Sequence, residues 1–254
     1  LRPGIPELVA RLVAIPGIDT LAITSNGTRL AAQATALRKA GLDAVNISLD
    51  TLRADRFRAI TRRDDHDAVL KGIAAALHEG FKTVKLNMVV MRGINDDEIE
   101  DFIALTRDAP LQVRFIEYMP FDANGWDADR LLPGAELRAR VAEKYILHAI
   151  GDSRGAVASS YAVEGHRGTL GFISSMTEHF CDGCDRLRLT ADGALKICLF
   201  SEGEVNLRDL LRAGATDEDV MAAVRTALAG KWRAHPGAKE LVQLHNRSMI
   251  RIGG

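Results

Sequence analysis

The sequence predicts an α/β protein: a parallel, barrel-like sheet with covering helices over residues 1–120, then a small α+β region over 121–254 built around a metal-binding hairpin. Three observations predict it. Apolar stretches of strand length alternate with amphipathic stretches of helix length as far as Tyr118. Polar residues recur at the ends of the apolar stretches, and a cation, Lys85 or Arg114, lies inside two of them. All three cysteines fall between positions 181 and 198. The 254 residues are 47% hydrophobic and 26% charged, with a net charge of -1, which is enough apolar material for a core. Near-neutral charge argues against a general nucleic-acid or membrane-surface binder, and no apolar run is long enough to span a bilayer. Few cysteines with no pairing pattern point to a reducing compartment.

Ile5 to Ile15 carries apolar residues at helical spacing with Pro6 in the first turn, and Pro16-Gly17 ends it. Thr20 to Thr24 is a short strand, Ser25-Asn26-Gly27 a turn, and Leu30 to Ala40 a helix closed by Gly41. The unit repeats with strand Ala44 to Ser48 and helical stretches Ala54 to Ile60 and Asp65 to Glu79, closed by Gly80. Val84 to Val90 is the next strand. Asn95-Asp96-Asp97-Glu98 opens a helix with acidic residues at its positive end, and Leu111 to Tyr118 is strand again. Strands separated by helices on short loops run parallel, so their C-terminal ends gather on one rim, where barrel-like folds bind ligands. That rim carries Thr24-Ser25-Asn26, Ser48-Leu49-Asp50, Lys85 with Asn87, and Arg114 with Glu117. Taken singly, most of these read as capping or loop residues. Lys85 and Arg114 are different, because a cation inside an apolar strand needs an anion or an opening.

After Pro120 the alternation stops. Phe121 to Pro133 is irregular around Asn124-Gly125-Trp126, and Glu136 to Tyr145 is a helix. Ile150 to Thr169 reads as a linker into an antiparallel element shared with the cysteine hairpin, and Leu207 to Ala213 and Asp217 to Lys231 are two further helices. The terminal Gly253-Gly254, taken alone, reads as a frayed end.

Cys181 and Cys184 are separated by two residues and Cys198 follows after thirteen more, a spacing that reads as a metal site rather than a disulfide. Zinc in a structural site needs a fourth ligand, for which His179 is the nearest candidate. A four-iron cluster on three thiolates keeps one iron open to a substrate atom. The spacing leaves both metals open. Arg186 and Arg188 alternate with leucines, so on a strand both guanidiniums project to one face beside the metal, with forked donors suited to phosphate or carboxylate. Asp192-Gly193 is then a turn, and Leu195 to Phe200 a returning strand that brings Cys198 back. Two solvated arginines on a plain hairpin are the alternative.

The run from Cys181 to Phe200, with its Cys-x2-Cys-x13-Cys spacing, Asp-Arg-Leu-Arg-Leu-Thr-Ala-Asp-Gly core and Cys-Leu-Phe exit, resembles the C-terminal cluster region of the GTP 3',8-cyclases. These are the radical S-adenosylmethionine (SAM) enzymes that open molybdenum cofactor biosynthesis, and the resemblance extends over essentially the whole chain. It implies a partial (β/α) barrel of radical SAM type with its first strands missing, and two 4Fe-4S clusters, the first binding SAM and the second GTP. On that template Thr24, Lys85, Arg114, Arg186, Leu187 and Arg188 contact GTP, Ser48 and Met119 contact SAM, and Cys181, Cys184 and Cys198 hold the second cluster. The double-glycine tail matches as well, which implies that Gly253 and Gly254 reach into the active site. Thr-Ser-Asn-Gly stands where the family has Thr-Thr-Asn-Gly. The implied chemistry is reductive cleavage of SAM to a 5'-deoxyadenosyl radical, removal of hydrogen from the 3' carbon of GTP, and attack of the ribose radical on C8 of guanine. The family also implies a homodimer, in the cytoplasm of a bacterium or the mitochondrial matrix of a eukaryote.

The family's Cys-x3-Cys-x2-Cys and Gly-Gly-Glu-Pro motifs are not in this sequence, and Leu1-Arg2-Pro3 matches the residues that would follow the latter. The chain is therefore expected to be the C-terminal portion of a cyclase, inactive alone, with catalytic residues unknown beyond the tail. A non-catalytic nucleotide-binding iron-sulfur or zinc module is the alternative.

Overall fold

A computed structural model describes residues 3–122, 124–151, 155–178, 180–201, 204–244 and 247–249. The chain forms two compact units. The first comprises Leu1–Glu117, Leu132–Asp152 and Ala158–Ser174, and the second Tyr118–Leu131, Ser153–Val157 and Ser175–Gly254.

The first unit follows the predicted alternation: α1 (Ile5–Val13), β1 (Ala22–Ser25), α2 (Leu30–Lys39), β2 (Ala44–Ser48), α3 (Ala54–Thr61), α4 (His66–His78), β3 (Thr83–Val90), α5 (Ile99–Ala104) and β4 (Leu111–Glu117). A single 3-10 turn, Asp96–Glu98, leads into α5 where one continuous helix was expected. Strands β1 to β4 pair in parallel in chain order. Each of β3 and β4 buries every second residue. Val84, Leu86, Met88, Val90, Leu111, Val113 and Phe115 face a core that also takes Leu30, Leu37, Ile73, Ala76, Phe102 and Ile103 from the helices. Fully burying each such large side chain stabilises the fold by roughly 1.5–3 kcal/mol, so the register of these strands is strongly specified.

The units do not divide at a single point of the chain: Ala158–Ser174 joins the first unit's sheet and not the cysteine hairpin, while Ser153–Val157 belongs to the second unit. After α6 (Gly134–Ala142) come β5 (Leu147–Ile150), β6 (Ser159–Val163) and β7 (Thr169–Ile173). β7 pairs parallel to β4, β6 antiparallel to β7, and β5 antiparallel to β6. The result is one seven-stranded sheet in the order β1-β2-β3-β4-β7-β6-β5. The physical reason is β4, whose far edge would otherwise expose unpaired backbone beside a buried core.

Two close approaches fix the turn after β1. Gly27 has φ of 77°, and a Cβ there would meet Ile47 and Val69 side chains at 3.0 Å. Gly72, inside α4, lies so close to this turn that a Cβ would stand 2.4 Å from the Gly27 carbonyl oxygen. The glycine lets α4 lie flush against the turn.

The second unit contains a three-stranded antiparallel sheet, β8 (Arg188–Leu189), β9 (Ala194–Lys196) and β10 (Glu204–Asn206), with β9 in the middle. It also contains α7 (Leu207–Arg212), α8 (Asp217–Ala229) and α9 (Ala238–Leu241). Asn206 caps α7, and Thr216 with Asp219 forms a capping box on α8. Its core is small: Met176, Phe200 and Leu241 are buried, with Met119, Phe121, Leu131 and Cys198 packed against them. Phe200 stacks on Phe121 at 5.6 Å and meets the tilted His235 ring at 4.8 Å, and the His235 Nε2 lies 2.7 Å from the Ser175 carbonyl.

Candidate functional site

The polar positions of the first unit are set by strand register. Because side chains alternate across a strand, residues opposite one another on neighbouring strands share a face. Thr24 is opposite Asn46, Asn46 opposite Lys85, Lys85 opposite Gln112, and Gln112 opposite Thr169. Two residues further along, Ser48 is opposite Asn87, Asn87 opposite Arg114, and Arg114 opposite Gly171. These are two parallel rows on the face of the sheet away from the apolar core. Thr24 and Lys85 thus share one row, about 10 Å apart across two strand spacings, and Ser48 and Arg114 share the next.

The chemistry of the rows is cationic. Arg114 donates from Nε to Asn87 Oδ1 at 2.8 Å, and its other guanidinium nitrogens make no hydrogen bond to a described residue. Burial pushes the Arg114 guanidinium down to about 10. Lys85 is half-buried and likewise lowered, first by desolvation and then by repulsion from Arg114. No described carboxylate pairs with either, so together they present a positive, partly desolvated surface that an anion would relieve. Gly171 makes room for the arrangement, since a Cβ there would meet Arg114 Cγ at 3.0 Å and Ala158 Cβ at 3.3 Å. Asn46 donates to Thr24 Oγ1 at 3.3 Å. Asn46 and Gln112 escaped sequence reasoning. Their signal was a polar residue at every second position of an apolar strand.

The second unit holds the cysteines, all three free and half-buried. Cys181–Gly183 is a 3-10 turn, and Cys184 N–H donates to Cys181 O at 3.0 Å, which puts the first two cysteines on one turn. The predicted hairpin follows. Arg188 pairs with Lys196 and Leu189 with Leu195, around a turn at Gly193 with φ of 83°. Arg186 and Arg188 are half-buried while Asp185, Leu187 and Leu189 are exposed, so both arginines take the same side. The returning strand is shorter than expected. β9 ends at Lys196, and Cys198 sits in the turn beyond it, closed by Ser201 N and Oγ bonds to the Cys198 carbonyl at 3.4 and 3.1 Å. Lys196, fully buried, donates from Nζ to Ser201 O.

Cations surround Cys184. Arg186 Nη2 lies 3.2 Å from its Sγ, with the guanidinium 5.0 Å from the centre of the Phe180 ring. Lys231 Nζ lies 3.7 Å from the same sulfur. Burial alone would raise the Cys184 thiol, but the Arg186 N–H, the Arg186 guanidinium and Lys231 hold it below the ordinary thiol range. Arg188 is lowered by burial and then by Arg186, and is raised in turn by Cys198 and Cys184, which places both thiols within its electrostatic reach.

The donor set therefore fits a thiolate-bound metal or cluster in its chemistry: three reduced thiols, half-buried, with guanidinium and ammonium groups at hand to offset negative charge. Among the described residues no three His, Cys, Asp or Glu side chains stand in a metal-holding arrangement, so the fit is one of donor type. Met119 packs in the same small core as Cys198. His179, Gly253 and Gly254 lie outside the described residues. Lys231 and Lys196 were not foreseen, because neither carries a local signature.

Comparison with known proteins adds the following. Residues 1–106 match the family described as Radical SAM superfamily, and residues 111–236 the one described as Molybdenum Cofactor Synthesis C. The chain is 47% identical over 255 residues to "GTP 3',8-cyclase, mitochondrial" of Arabidopsis thaliana, covering all of this chain and 65% of that protein. It is 45% identical over 254 residues to "Molybdenum cofactor biosynthesis protein 1" of Mus musculus, covering 40% of it. It is 43% identical over 256 residues to "GTP 3',8-cyclase" of Syntrophomonas wolfei, covering 78% of it. Among the described residues no helix is long and apolar enough to cross a membrane.

Proposed function

Since the chain belongs to the GTP 3',8-cyclase family of radical SAM proteins, we propose that it supplies the nucleotide-binding portion of such a cyclase, a lyase. The reaction converts GTP to (8S)-3',8-cyclo-7,8-dihydroguanosine 5'-triphosphate in molybdenum cofactor biosynthesis, by joining the ribose 3' carbon to C8 of the base. The observation that supports this reading best is the pair of half-buried cations, Lys85 and Arg114, with no described carboxylate to neutralise them.

A triphosphate is the polyanion such a pair recognises: Arg114 offers free forked donors and Lys85 a compact charge. Thr24, in the Lys85 row, offers a hydroxyl to the same ligand. Arg186 and Arg188, with the backbone of Leu187 between them, supply donors on the second unit. Cys181, Cys184 and Cys198 would hold a 4Fe-4S cluster, which with three thiolate ligands would leave one iron able to take a donor atom of the nucleotide. Ser48 and Met119 would contact SAM. The residues thus bind, orient and neutralise, and leave the radical step to SAM and its own cluster. All three cysteines of this sequence lie at 181–198, so ligands for that other cluster are not among its 254 residues. The relatives' compartments suggest the cytoplasm of a bacterium or a mitochondrial matrix, and the family a homodimer.

Anaerobic reconstitution with iron and sulfide, followed by visible and electron paramagnetic resonance spectra with and without GTP, tests the reading. A brown protein whose reduced-cluster signal shifts on adding GTP supports it. A colourless protein that retains zinc overturns it.

A further inference from the structure

Lys231 follows the C-terminal end of α8, where a lysine ordinarily offsets the helix dipole in solvent. Here its ammonium turns to a segment more than forty residues earlier in the chain. Nζ donates to the Cys184 carbonyl at 2.8 Å and the Arg186 carbonyl at 3.1 Å, and stands 3.7 Å from Cys184 Sγ. Three acceptors converge on one half-buried ammonium, so its direction is fixed. The same sulfur already has the Arg186 guanidinium at 3.2 Å. Two cations on one sulfur exceed what a single thiolate offsets, and a neutral thiol would offset neither. The excess matches a sulfur that belongs to a larger anion.

We propose that Lys231 is a positioning residue for the cysteine loop: it pins the Cys184–Arg186 backbone through two carbonyls and supplies a fixed positive charge beside Cys184, which sets the reduction potential of the group those cysteines hold. The inference rests on the iron-sulfur reading above. Positive charge and N–H donation near a ligating sulfur favour the reduced, more negative state of a cluster and so raise its potential. The neighbouring Arg233 to Asp182 pair at 3.7 Å is largely exposed at both ends and adds little. Lys231 is therefore the residue to change.

The full chain is reconstituted anaerobically as wild type and as Lys231→Met, Lys231→Gln and Lys231→Arg. Iron and sulfide content and midpoint potential are then measured. The expected result is wild-type loading in all four, with the reduced-to-oxidised ratio at fixed potential lowered about tenfold in the Met and Gln variants, equivalent to 59 mV for one electron. The Arg variant keeps the wild-type potential. If Met and Gln lose the cluster while Arg keeps it, the positioning role stands on loading instead. If all variants load and share one potential, or if Arg fails along with the others, the inference is overturned and the iron-sulfur reading survives. A wild-type chain that takes up no iron overturns both.

Discussion

The sheet face of the first unit and the cysteine loop of the second place charged side chains by opposite means. Lys85 and Arg114 sit where they do because β3 and β4 are locked in register by a row of buried aliphatic residues behind them. Cys184, Arg186 and Cys198 are held by a few bonds from Lys231, Lys196 and Ser201 to backbone carbonyls, beside a core with Met176, Phe200 and Leu241 at its centre. The first arrangement is complete without a ligand. The second rests on single hydrogen bonds, and a metal or cluster bound by its thiols would add the cross-links it lacks. Register fixed by a packed core on one side, and a loop fixed by single hydrogen bonds on the other, is the lesson of the contrast.

The largest expected effect would break the comparison if it failed. Removing iron from the reconstituted chain with a chelator under reducing conditions should lower hydrogen-exchange protection around 181–201 by orders of magnitude, while amides of β2, β3 and β4 stay protected. Equal loss in both units would mean that the sheet is no more self-sufficient than the loop.

Next come the cations of the sheet face. Lys85→Met and Arg114→Met should each raise the Kd for GTP by about tenfold to a hundredfold, read by calorimetry, since hydrogen bonds to charged groups contribute about 1.5–3 kcal/mol. Both should also raise the melting temperature by a few degrees, because each removes a desolvated cation that no described carboxylate offsets. Weaker binding with unchanged or lower stability would count against a binding surface built at a cost to the fold.

The smallest effect sharpens the contrast by pH. Burial pushes the Asp50 carboxyl up to about 6, against a lowering hydrogen bond from Val89 N–H at 2.9 Å. The folded chain then binds this proton more tightly than the unfolded one, so the contribution is fully present below about pH 4 and is lost as pH rises through about 6. Denaturant titrations of the first unit's signal should show about 2 kcal/mol less stability at pH 7 than at pH 4 from this group, allowing for its partial exposure. Asp50→Asn, which keeps an acceptor for Val89, should flatten that dependence and leave the second unit's unfolding unchanged.

Much of the first unit was legible because its signals are local. Alternation in β3 and β4 and the odd cation in an apolar strand each lie within one segment, so Lys85 and Arg114 could be singled out, while the face they share follows only from the register of β3 on β4. The joining of β7 to β4 could not, since it pairs Gln112 with Thr169 across a long separation and is decided by burial of an edge. In the second unit the cysteine spacing and the arginine alternation were legible for the same local reason. Lys231 was not, because a lysine after a helix looks the same whether it points to water or to a sulfur.

The contact between Gly72 and the Gly27 carbonyl bears on how this fold tolerates engineering. Replacing a mid-helix glycine with alanine is a common route to thermostability, worth about 1 kcal/mol from helix propensity. At residue 72 the recipe inverts. The added methyl would have to displace the backbone of the turn that follows Thr24, so a change inside a helix would be transmitted to the row that carries Thr24, Asn46 and Lys85. A thermostabilised variant of this chain would need to leave that helix imperfect.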